Sequence, residues 1–116
     1  MNVRFYTSPS GRSPVEDEID SLSIRASAHV YELLEGIESH GLNAPRVAFR
    51  PIQGKLWEIK LNLPGVGGYR IFYCFLHKDL MLLLHSYEKK SQKAPRRHIE
   101  TAIERMADAI KREDKS

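Results

Sequence analysis

The sequence predicts an α+β domain in which an N-terminal strand and a two-helix hairpin precede a three-stranded antiparallel meander and a closing helix. Three observations predict it. Residues 56–63, 69–76 and 80–87 are strand-like apolar runs joined by short polar turns. Residues 13–39 carry apolar residues at helical spacing. A second helical pattern follows Pro95. At 116 residues the chain has room for one core, so a single domain over 1–116 is expected.

The elements follow in order. Val3 to Thr7 is β-prone, and Ser8 to Arg12 is a turn. Ser13-Pro14-Val15-Glu16 reads as a helix start, with Ser13 as cap, Pro14 in the first turn and Glu16 closing a capping box. Val15, Ile19 and Leu22 continue the pattern. A second helix covers Ile24 to Ser39, with Val30, Leu33, Leu34 and Ile37 facing the core and Gly41 ending it. Asn43 to Gly54, bounded by Pro45 and Pro51, reads as a connector.

In the first meander strand, Trp57, Ile59, Leu61 and Leu63 share one face, and Glu58, Lys60 and Asn62 share the other. Pro64 to Gly68 is a hairpin turn. It lacks the Gly-Lys-Ser/Thr of a phosphate loop and precedes a strand. Tyr69 to Leu76 is apolar on both faces except for Arg70, which predicts a central strand. His77-Lys78-Asp79 is a tight connection. Period two then places Met81, Leu83, His85 and Tyr87 together. Ile99, Ala102, Ile103, Met106 and Ile110 form the stripe of the last helix. Ala94 is a poor cap for it, and the charged residues 112–116 read as a disordered tail.

Charge is unevenly placed. Residues 1–50 carry five Lys/Arg against seven Asp/Glu, and residues 51–116 carry thirteen against eight. Lys89, Lys90, Lys93, Arg96 and Arg97 cluster with no acid among them. Such a balance points to an anionic partner. A lone Cys74 in an apolar run forms no intrachain disulfide and reads as a small buried hydrophobe. No signal peptide and no membrane span are read, so a cytoplasmic protein without membrane partners is expected. The five scattered histidines show no metal-ligand spacing, so no metal or cofactor is expected.

The residues that resist a purely structural reading are Glu58, Lys60, Arg70, His85, Tyr87, Lys89 and Lys90. A cation inside an apolar run is costly unless paired. If their faces coincide, the sheet presents an acid, several cations, an imidazole and a phenol in one patch. Cleavage of RNA by internal transesterification needs such groups, to move two protons and to stabilise a dianionic phosphorane. The plainer reading is a solvated strand face, with Arg70 pairing Glu58 and His85 a satisfied rim histidine.

The motifs Lys55-Leu-Trp-Glu-Ile-Lys60, Tyr69-Arg-Ile-Phe-Tyr73, residues 82–95 and Ala102-Ile-Glu-Arg105, in this order, resemble the RelE/ParE toxin superfamily. Within it the chain is similar to the HigB-like, phage-derived branch. The resemblance implies a type II toxin that cleaves mRNA on the ribosome, and a cognate antitoxin, in this branch often a HigA-like helix-turn-helix protein. It implies Arg70 as the phosphate-stabilising arginine. Lys60 matches a basic strand position, Lys89 and Lys90 the paired lysines, and Glu58 the acid of the strand motif. Tyr87 replaces a commoner phenylalanine, so a phenol acting there is read from the residues alone. Lys55, Lys89, Lys90, Lys93, Arg96 and Arg97 are the candidate RNA contacts. The competing expectations are a gyrase-binding toxin that cuts nothing and an inactive copy that only binds its antitoxin.

Overall fold

The computed structural model describes residues 1–90 and 95–114. The order is β1 (Asn2–Phe5), α1 (Pro14–Asp20), α2 (Ile24–His40), a 3-10 turn (Gly41–Asn43), β2 (Ala48–Gln53), β3 (Leu56–Leu63), β4 (Gly67–His77), β5 (Leu80–Glu88) and α3 (Arg96–Asp114). The α+β class and the β3-β4-β5 meander match the expectation. The meander is the centre of a larger mixed sheet, ordered β1-β5-β4-β3-β2, in which β1 pairs parallel to β5 and the other pairs are antiparallel. β4 is the central strand, as its two apolar faces predict.

β2 lies within the residues read as a connector. Pro51 hides it in the sequence, because proline cannot donate to a ladder. The strand tolerates it as the sheet's outer edge, where Pro51 stands opposite Trp57 and the register slips before Gln53.

Both faces of the sheet are packed. On one, Val15 and Ile19 of α1 and Val30, Leu33, Leu34 and Ile37 of α2 meet Ile59, Leu61, Ile71, Tyr73, Met81 and Leu83. On the other, Ala102 and Ala109 of α3 meet Leu56, Phe72, Cys74, Leu82 and Leu84. The charged patch expected on the sheet therefore does not occupy a whole open face. The second face is apolar where α3 crosses it and charged only where the helix leaves it. Ile99, Ile103 and Met106 pack beside Ala102 and Ala109, so the expected stripe faces this core, with Ala109 added to it. Cys74 is buried in this second core, and burial pushes its thiol up to about 11.

Three local features differ from expectation. Ser13 makes no side-chain capping bond, whereas Ser23 caps α2 by accepting from the Ala26 N–H at 3.1 Å. α3 starts at Arg96 and runs through Asp114, so residues 112–114 are helical. The expected alanine cap, Ala94, lies outside the described residues.

The third feature matters for the site. Phe72 pairs with His85 but Tyr73 pairs with Leu83, which leaves Leu84 as an extra residue in β5. This bulge resets the alternation. Met81 and Leu83 face the helical hairpin, while Leu84 packs with Tyr87 in the α3 layer. His85 faces α3 as well, so it does not share a side with Met81 and Leu83.

Candidate active site

Glu58 is the hub. It is an acid with no exposed surface, set on β3 beside Leu56. Burial of a carboxylate is expensive unless it is charge-paired and hydrogen-bonded. Three side chains meet this demand. The Arg50 Nη2 donates to Glu58 Oε1 at 2.8 Å from the cross-strand position on β2. The Tyr87 hydroxyl donates to Glu58 Oε2 at 3.2 Å. The Arg70 Nε lies 3.8 Å from Oε1, an ion pair beyond hydrogen-bond reach. Arg70 also donates through Nη1 to the carbonyls of Tyr69 (3.0 Å) and Leu61 (3.3 Å). The Nε atoms of Arg50 and Arg70 are buried without a hydrogen-bond partner. Two guanidiniums are thus held over one carboxylate with donor capacity to spare.

Around Arg70 the surface is cationic. Lys60 is its cross-strand neighbour on β3, and Tyr87 stands opposite it on β5. The Lys89 N–H donates to the Gly68 carbonyl at 2.9 Å, which brings this lysine beside Arg70. Burial, Arg70 and Arg50 lower the Lys89 pKa, as does Lys60, against a smaller opposing pull from Glu58. An ammonium crowded by cations gives up its proton more readily than a free lysine. Burial and then the Glu58 charge push the Tyr87 phenol up to about 12, so at neutral pH it is a proton donor.

Where α3 meets the sheet, aromatic rings line up. Tyr87 stacks on His98 with centroids 4.3 Å apart, and Phe72 stacks on Tyr87 at 5.6 Å. His85 Nε2 is 2.7 Å from His98 Nδ1, and Arg105 Nη1 is 3.3 Å from His85 Nδ1. Arginine only donates. His85 Nδ1 is therefore the acceptor, its Nε2 carries the proton toward His98 Nδ1, and the neutral His98 carries its own proton on Nε2. Desolvation, then Arg105 and His98, lower the His85 pKa to about 4, and desolvation and Arg97 lower that of His98. Both rings are uncharged at neutral pH. A cavity of about 450 Å³ beside them is lined by His98, Lys90 and Arg97 with Glu18 and Glu88.

The arrangement combines an anion-attracting surface with groups that can hold or pass protons. A family model described as phage derived protein Gp49-like (DUF891) matches residues 17–107, most of the chain and every residue of this site. The chain belongs to the Gp49-like family. That family lies in the RelE/HigB-type toxin group, a toxin-like setting that suggests an antitoxin partner. No curated protein matches the sequence.

In this Gp49-like protein, Glu58, Lys60, Arg70, Tyr87 and Lys89 come together, and His85 joins them through the ring stack. Glu58 sits beneath the surface, where it orients Arg50, Arg70 and Tyr87. Lys90 and Arg97 flank His98. Arg96 lies apart, in a groove with Gln53 and Ile99. Lys55 sits in the β2–β3 turn at the Cys74 end of the sheet, where its charge acts on that thiol. Lys93 lies outside the described residues. No group of three metal-ligating side chains occurs among the described residues, and no helix there is long and apolar enough to cross a membrane.

Sequence reasoning missed four residues of the site. Arg50, and Arg46, which lines a cavity with Lys60 and Arg70, fall in the supposed connector, where the β-prone Val47 and Phe49 two residues apart are a weak strand signal. His98 and Arg105 are seven residues apart, a spacing that puts them on one helix face.

Proposed function

We propose that this Gp49-like protein is a toxin of a toxin–antitoxin pair and acts as an endoribonuclease on mRNA at the ribosome. The observation that carries the reading is Arg70, a guanidinium nine-tenths buried in the sheet and oriented by a buried carboxylate at the edge of a cationic surface. A preorganised arginine of this kind suits a phosphate whose charge grows in the transition state.

In the reaction the 2′-oxygen of the RNA bonds to phosphorus and the bond to the 5′-oxygen breaks. Arg70 and Lys60 stabilise the phosphorane. Lys89, with its lowered pKa, takes the 2′-hydroxyl proton. The Tyr87 hydroxyl gives its proton to the departing 5′-oxygen, with the uncharged His85–His98 pair stacked beside it. Glu58 works through the groups it orients. Lys90, Arg97 and, farther off, Lys93, Arg96 and Lys55 supply charge for mRNA or ribosomal RNA. The partner that silences the protein is a cognate antitoxin of HigA-like, helix-turn-helix type.

Induced expression with parallel readouts tests the reading. Protein synthesis is expected to stop and reporter mRNA to shorten, while plasmid supercoiling stays normal. Loss of supercoiling with intact mRNA would reject the nuclease in favour of a gyrase-binding toxin.

A further inference from the structure

Arg46 is the one non-glycine residue with positive φ among the described residues, at 65°. Glycine adopts this conformation freely, and an arginine is strained in it. The strain needs a return. Its side chain pairs with Glu32 at 3.1 Å, and that pair is 56% and 59% exposed, so it contributes little to stability. The fold therefore does not account for an arginine here.

The surroundings do. Arg46 lines a cavity of about 340 Å³ with Lys60, Arg70 and Asn62, and no acidic side chain lines it. Arg70 is nine-tenths buried, and its Nε–H has no hydrogen-bond acceptor, Glu58 being an ion-pair partner 3.8 Å away. Three cations line this cavity while the carboxylates that pair two of them, Glu32 and Glu58, lie outside its lining, so the cavity attracts an anion.

We propose that Arg46 is a phosphate-binding residue, which leaves Glu32 and closes over this cavity to hold, with Lys60, the RNA phosphate next to the one being cleaved. The identity of the ligand rests on the nuclease reading, whereas the anion site does not. Glu32 is a competitor for the same guanidinium.

The probe is a single-stranded RNA oligonucleotide methylated at every 2′-oxygen, which cannot be cleaved, bound at several salt concentrations. Arg46→Gly relieves the strain and keeps the fold, so it isolates the side chain. It is expected to bind about tenfold more weakly, with a log–log salt slope shallower by about 0.7, the loss of one single-strand phosphate contact. Glu32→Gln is expected to bind at least about twofold more tightly. An Arg46→Gly protein that binds with unchanged affinity and slope overturns the proposal, as does a wild type that does not bind the probe. Wild-type binding with the Arg46-dependent slope, but no cleavage in a translating extract, keeps the anion site and removes the nuclease.

Discussion

Glu58 decides how much of the site survives any single change. Glu58→Gln keeps the shape but leaves the guanidiniums of Arg50 and Arg70 without their counter-charge. The expected loss is about 3 kcal/mol, in the range for breaking a buried ion pair from one side. Adding Arg50→Gln is expected to restore part of it, as chemical denaturation of the three proteins would show. His85 sets a pH dependence. Its folded pKa, about 4, lies below the ordinary 6.5. Between these values the unfolded chain takes up a proton that the folded chain refuses, so stability falls as pH drops from about 6.5 toward 4 and then levels off. His98 acts in the same direction. Denaturation midpoints at pH 7 and pH 4.5 are expected to differ less for His85→Gln than for the wild type. Equal differences would remove His85 as a source of the slope.

The elements show what a sequence reveals. Residues 56–63 alternate cleanly and form a strand with those bounds. β4 and β5 run one or two residues past the predicted ends, because ladder partners extend a strand beyond its apolar run. β2 was illegible because Pro51 outweighs local alternation, and only pairing to β3 reveals it. The bulge at Leu84 was illegible because period two assumes an unbroken ladder, and it is this bulge that turns His85 toward α3. Helix α3 was found with its face: Ile99, Ala102, Ile103 and Met106 pack into the second core as expected, and Ala109, which the stripe left out, is buried there too. A hydropathy pattern passes over Ala109, yet packing distance is set by Ala102 and Ala109, both buried. Ala102→Leu is therefore expected to push the helix from the sheet and cost about 1–3 kcal/mol, as overpacking does. A thermal midpoint equal to that of the wild type would show that the layer is not tightly packed.

At the scale of the whole molecule, a two-sided sheet explains where the site is. α1 and α2 cover one face, and α3 covers half of the other. The charged residues collect where its first turn leaves the sheet. The basic bias of the C-terminal half was plain in the sequence, and so was the grouping of Glu58, Lys60, Arg70 and Tyr87. Their arrangement was not, because Glu58 and Arg70 belong under the surface and Arg50 comes from a strand that was not visible. RNA affinity is expected to fall steeply with salt through this shared surface, and a flat response would deny it a role in binding.

The most direct test of the central claim is to map new mRNA 5′ ends in a translating extract with the wild type and Arg70→Ala side by side. The account predicts ribosome-dependent cuts with the wild type and none with a folded Arg70→Ala protein. Equal cutting by the two would contradict the role of Arg70, and a folded wild type that makes no cuts would contradict the nuclease itself.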